Sequence, residues 1–295
     1  RSRGLGDVYK RQLLPFQELA YRTGATLKWF DLTEDGRIRS DTADEVITEH
    51  AKVVAITHVG NTTGAITDIA PIIRRAHEVG AIFILDACQS VPHLKVDFHA
   101  LDVDFAAWSA HKMYGPTGVG FLYGRRELLE ALPPANFGGS MVELAWMDQP
   151  AQYMVPPARF EAGTQPVAQV VAAGVAAEWM MNVGLENIEA HERTIAAELL
   201  KMGDIDGVRI LGPRENVNRI GTVAFDVAGV HPHDVGQFID AQGIAIRVGH
   251  HCAQPVHRHF GLYASNRASS GVYNSVDDAH ALVEAVAKVR PFFGL

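Results

Sequence analysis

Apolar residues gather along the chain in short runs of alternating kind. Residues 52–57 and 81–85 form two strand-length stretches, Lys-Val-Val-Ala-Ile-Thr and Ala-Ile-Phe-Ile-Leu. Between them, residues 71–79 carry helical spacing, with Pro71 in the first turn and Gly80 just past the end. Strand, helix and strand in that order predict a parallel sheet. The unbroken apolar stretch 81–85 reads as a strand buried on both faces, and 103–108 is a further strand-like run. Residues 166–181 and 185–202 are expected to be helical, the second with Glu189 and Arg193 paired four apart on its solvated side. Strands are expected at 219–227 and 243–248, with a closing helix through 275–289. The stretch 133–157 holds five prolines and the pair Gly138-Gly139, so it is expected to be a long loop at a functional rim. The pattern predicts an α/β protein, with a mainly parallel large domain over 13–184 and a smaller α+β domain over 185–295. Residues 1–12 have no methionine and no apolar period, and they read as a non-native leader.

Three places carry candidate chemistry. Lys112 lies in the loop Ser109-Ala110-His111-Lys112, directly after the run 103–108. Ligands of open α/β sheets bind just beyond the carboxyl ends of strands, so a lysine there can bond an aldehyde cofactor while Ser109 and His111 hold a phosphate. Asp86 ends the run 81–85. It is either a turn former or the partner of a cofactor's pyridinium nitrogen. The third place is the polar loop Arg247-Val248-Gly249-His250-His251-Cys252-Ala253-Gln254-Pro255, where a thiol sits among groups that favour its thiolate. Cys252 is therefore expected to be exposed and reactive, with His250 and His251 as local influences. Cys88, beside an apolar strand, is expected to be a core packing residue.

Together these segments, with Asn61, Gln89, residues 160–164, Arg267-Ala268-Ser269 and Tyr273-Asn274, resemble in order the motif series of the group II (SufS-type) cysteine desulfurases. These belong to the class V aminotransferases, which have the fold-type I architecture and depend on pyridoxal 5′-phosphate. The resemblance runs from about Leu13 to the C-terminus. It implies that Lys112 bonds the cofactor, Asp86 pairs with its ring nitrogen, Gln89 meets its phenolic oxygen, and Ser109 and His111 hold its phosphate. It further implies that Asn61 lies beside ring and substrate, that Arg267 grips the substrate carboxylate, and that Arg247 is a second active-site arginine. Thr164 would reach the phosphate of a second subunit, giving a homodimer with shared sites. The implied reaction converts L-cysteine to L-alanine and leaves a persulfide on Cys252. That sulfur would pass to an acceptor protein of the SufE or SufU kind for iron–sulfur cluster assembly. The resemblance also implies an N-terminal part that precedes Leu13, with a second phosphate-binding loop and a ring-stacking histidine that falls where residues 1–12 stand. A catalytically inactive fragment is the corresponding alternative.

Composition narrows the classes. A formal charge of −8 opposes nucleic-acid binding. Two distant cysteines give no disulfide framework and fit a reducing cytoplasm. The apolar stretch 170–177 is cut by Glu178 and is too short for a membrane span. A rival reading is metal binding, since His250, His251, Cys252, His257 and His259 lie within ten residues. Their spacing fits no zinc-finger pattern and Arg247 and Arg258 oppose a cation, so no metal is expected. A selenocysteine lyase, or another class V enzyme, is the alternative within the same fold.

Overall fold

The computed structural model describes residues 13–295; the expected leader at 1–12 and the histidine implied there lie outside the described residues. The first layer follows the predicted alternation. After α1 (Leu13–Thr23) and a single turn, α2 (Ala43–Val46), come β1 (Val53–Thr57), α3 (Ala70–Glu78), β2 (Ile82–Asp86), β3 (Phe105–Ser109) and β4 (Gly120–Gly124). The sheet order is β1-β2-β3-β4. The first two pairings are parallel and the last is antiparallel. Pro71 stands in the first turn of α3, where its missing N–H costs nothing.

β2 corrects one expectation. Phe83 and Leu85 are buried in the core formed with α3, whereas Ile82, Ile84 and Asp86 are only half-buried. One face of this sheet is thus packed and the other partly open. The open face carries Asp86, and the register places it beside Ala107, two residues before Ser109.

The middle of the chain holds α4 (Arg126–Ala131), then β5 (Val142–Leu144) and β6 (Gln152–Tyr153). The expected long loop at 133–157 therefore contains a small antiparallel pair. Its strands are too short, and their outer side chains too exposed, to leave an alternating pattern. Then follow α5 (Val167–Val183) and α6 (Leu185–Leu200), joined at Gly184. α6 ends two residues sooner than its periodicity predicts and tightens into a 3-10 turn, Lys201–Asp204. The Arg193–Glu189 pair forms at 2.7 Å.

The second sheet contains β7 (Val208–Leu211), β8 (Thr222–Val227), β9 (Arg247–Gly249) and β10 (Ser265–Ser269), in the order β7-β8-β10-β9. All its pairings are antiparallel. Around it lie α7 (Pro232–Asp240), α8 (Gln254–His259), α9 (Val276–Ala287) and α10 (Val289–Phe292). A separate core forms between this sheet, α6, α7 and α9. The strand expected at 243–248 starts only at Arg247, because Ile244 and Ile246 pack on that core without a partner strand. The strand expected at 219–227 starts at Thr222, since Arg219 is turned inward to bind the carbonyls of Pro213, Ile220 and Thr222. Ser275 caps α9 reciprocally with Asp278.

Candidate active site

Three strand ends of the first sheet converge on one edge. β1 runs into the loop 58–67, β2 ends at Asp86, and β3 ends at Ser109 and passes into a 3-10 turn, Ala110–Lys112. The His58 N–H donates to the Asp86 carbonyl (3.0 Å), and the Ala87 N–H to the Ala107 carbonyl (2.9 Å), so neighbouring strand ends stay in register past their last residues. Asp86 Oδ1 accepts from the Cys88 N–H at 2.9 Å, which closes a tight turn around the carboxylate.

Cys88 is not a core residue, in contrast to the expectation. It is half-buried, with Asp86, Lys112 and Ser109 all close enough to act on its thiol. Burial first, and then the Asp86 charge, push that thiol up to about 11, while Lys112 pulls the other way. One side chain thus feels both the carboxylate and the lysine that were singled out separately in the sequence. Lys112 and Gln89 are half-buried and His111 is exposed on the same edge.

A second group of candidates gathers around the loop that carries Cys252. Asn61 Nδ2 donates to the His251 carbonyl at 2.6 Å, and Arg267 Nη1 donates to the Asn61 carbonyl at 2.8 Å. Arg267 on β10 stands directly across from Arg247 on β9, so the two guanidinium stems project from one face of the sheet. Cys252 is half-buried rather than fully exposed, and both His251 and Cys252 have left-handed backbone, with φ of 49° and 62°.

His251 departs from its expected influence on the thiol. It is 2% exposed, and burial, then Arg267, His257 and Arg247, push its imidazole down to about 3, so it carries no charge at neutral pH. His251 and His257 both turn to Ser265 Oγ, at 3.0 and 2.9 Å. Among the described residues, no three His, Cys, Asp or Glu side chains converge as a metal site.

The two groups are bridged twice. The loop 58–67 touches the Asp86 backbone at one end, while its Asn61 is held by Arg267. On the other side the Tyr114 hydroxyl, two residues past Lys112, accepts from the Val272 N–H at 3.2 Å. Thr164 stands apart: it is exposed just before α5, and among the described residues no hydrogen bond joins it to this edge.

His58 was missed in the sequence. It is buried at the end of β1, burial pushes it down to about 4, and its Nδ1 has no hydrogen-bond partner among the described residues. Its only signal was its place three residues before Asn61.

The profile of the aminotransferase class-V family matches residues 9–282. The probable cysteine desulfurase 2 of Mycobacterium leprae (strain TN) is 51% identical over 283 residues, covering 96% of this chain and 67% of the relative. The probable cysteine desulfurase of Streptomyces coelicolor is 46% identical, with 96% and 68% covered. Among solved structures, the cysteine desulfurase CsdA from Escherichia coli superposes with a TM-score of 0.92 at 33% identity, over 99% of this chain and 74% of that one. The chain thus spans about two thirds of the length of these curated relatives. By sequence and by fold alike, the chain belongs to the class V aminotransferase family, alongside its cysteine desulfurases.

Proposed function

We propose that this chain is a pyridoxal-phosphate-dependent cysteine desulfurase of the SufS-like group, which moves the sulfur of L-cysteine onto Cys252. The observation that carries this reading is the hydrogen-bonded series from Arg267 through Asn61 to the His251 carbonyl, which ties an anion-binding arginine to the loop of the nucleophile. Class V aminotransferases and the cysteine desulfurases among them depend on pyridoxal phosphate. The donor set supports that cofactor: a carboxylate, a lysine, a hydroxyl and an imidazole stand at one edge of the first sheet.

When bound, pyridoxal phosphate supplies an electron sink for the bonds around the substrate α-carbon. On this reading Lys112 anchors the cofactor and then moves the α-proton. Asp86 holds a proton on the ring nitrogen and Gln89 meets the phenolic oxygen. Ser109 and His111 hold the phosphate, with Thr164 of the partner subunit. Arg267 and Arg247 would bind the carboxylate of L-cysteine, and Asn61 would stand beside ring and substrate while it holds the His251 carbonyl. The Cys252 thiolate attacks the substrate sulfur; its new S–S bond forms as the C–S bond breaks, so L-cysteine plus the Cys252 thiol yields L-alanine plus a Cys252 persulfide. Cys88, kept protonated, is no competitor for that sulfur.

The homodimer is supported by α5. Its Val167, Val171 and Val175 are each more than 60% exposed, and Trp179 and Met181 are exposed further along. Apolar area of this kind, directly after Thr164, suits a covered interface. The sulfur acceptor is a SufE- or SufU-like protein serving iron–sulfur cluster assembly. With two free thiols and no single described helix long and apolar enough to cross a membrane, we place the enzyme in the cytoplasm, divided at Gly184 into a larger and a smaller domain.

The test is borohydride reduction with added pyridoxal phosphate, followed by peptide mapping and then assay of L-alanine and persulfide. A label on Lys112 together with a persulfide on Cys252 is the expected result. Cys252→Ala is expected to keep the label and lose the persulfide, and full turnover by that variant would overturn the assignment.

A further inference from the structure

The loop that bears Cys252 takes a backbone shape that L-residues avoid, since both His251 and Cys252 lie in the left-handed region. Such a conformation persists only where its surroundings over-determine it. The carbonyls on either side of Cys252 are each held by a side chain. Asn61 holds that of His251, and His257 Nδ1 holds that of Ala253 at 2.9 Å. The Ala253 N–H closes the turn on the His250 carbonyl at 2.7 Å.

These contacts fix the protons. A carbonyl can only accept, so His257 Nδ1 carries its hydrogen and, in the neutral ring, His257 Nε2 is an acceptor. Ser265 Oγ, 2.9 Å away, must therefore donate its one hydrogen to His257. That leaves the Ser265 oxygen as acceptor for His251 Nε2–H at 3.0 Å. Burial holds both rings neutral, which preserves this order of donors and acceptors. All three side chains are at most 2% exposed. Ser265 also lies two residues before Arg267 on β10, and alternate residues of a strand share a face.

We propose that Ser265 and His257 are positioning residues for Cys252: the series His251, Ser265, His257 and the Ala253 carbonyl locks the nucleophile loop in its left-handed turn and fixes it to the strand that carries Arg267. The proposal rests on the reading of Cys252 as the sulfur acceptor. Its function is to set the reach between the thiol and a substrate whose carboxylate is gripped two residues along the same strand. Substrate affinity is therefore outside its influence, and the rate of sulfur transfer is within it.

Two matched pairs of variants test this in the full chain loaded with pyridoxal phosphate. Ser265→Ala removes the central hydroxyl and Ser265→Thr keeps it. His257→Phe removes both nitrogens, whereas His257→Gln keeps one donor and one acceptor. The expected result is that Ser265→Ala and His257→Phe, each of which removes two buried hydrogen bonds, lower the rate of Cys252 persulfide formation about tenfold, with an unchanged KM for L-cysteine and unchanged labelling of Lys112. Ser265→Thr and His257→Gln recover most of that rate. Equal rates in a removing and a retaining variant, or KM rising in step with the loss of kcat, would overturn the proposal. Should Ser265→Ala fail to fold, the His257 pair carries the same contrast from the helix side. Hydrogen exchange separates this from a failure of the desulfurase reading itself. If the unaltered protein forms no persulfide, faster exchange in the 250–257 peptide of Ser265→Ala, with 222–227 unchanged, still supports the lock, and identical exchange in both peptides overturns it.

Discussion

A buried neutral imidazole stabilises a fold only while it stays neutral. His58 and His251 are held at about 4 and about 3, below the ordinary value of 6.5, both chiefly by burial. Below pH 6.5 the unfolded chain takes up protons at these rings that the folded chain refuses, so stability falls as pH falls, until each folded value is reached. Each ring contributes a slope of up to about 1.4 kcal/mol per pH unit in that window. Urea midpoints at pH 7.5, 6.5, 5.5 and 4.5 check this, and a flat series would contradict it. Cys88 behaves oppositely. With its thiol pushed up to about 11, its modification by iodoacetamide should rise about tenfold per pH unit toward that value, as read by peptide mapping. A plateau below pH 9 would show that Asp86 and burial do not govern it. Residue types and order were enough to nominate Lys112 and Asp86 in the sequence, whereas Arg267 was implied only by the family resemblance. The partners of Ser265 were not legible, because a serine inside a strand has no pattern that tells which buried nitrogens face it across a loop.

At the scale of elements, periodicity succeeded where one face is packed and the other is not. α3 and β1 were legible within a residue of their ends for that reason. β5 and β6 were not, since strands of three and two residues cannot display an alternation. Gly64 shows how a loop can be more constrained than a strand. Its φ is +70°, and a methyl group there would stand 2.4 Å from the Thr222 carbonyl oxygen. Gly64→Ala should cost at least about 2 kcal/mol, from left-handed strain and displacement of β8. Chemical denaturation measures it, and a loss within about 0.5 kcal/mol, the range of an ordinary surface substitution, would mean that the loop yields freely.

For the whole molecule, the decisive surface is that of α5. A helix with valines open along much of its length is more stable when another surface covers it. On the proposed homodimer, Val171→Asp should shift the protein from dimer to monomer in light scattering, and lose cofactor-dependent activity with it if Thr164 of the partner subunit completes the phosphate site. A variant that remains dimeric would place the interface elsewhere. The sequence displayed in this helix an apolar stretch, 170–177, ended by Glu178, which predicts burial but not what provides it.

Arg219 joins the scales. Its buried guanidinium, lowered to about 10 by burial and then by Arg37, holds three carbonyls beside β8, while the neighbouring Ile220 N–H bonds Gly64 at the far end of the loop that bears Asn61. The two sheets are thus bolted together through the same loop that lines the candidate site. On the proposed reading, any change in the tilt of one layer against the other must alter the gap that a sulfur atom has to cross, so rigidity and turnover meet here in a single joint.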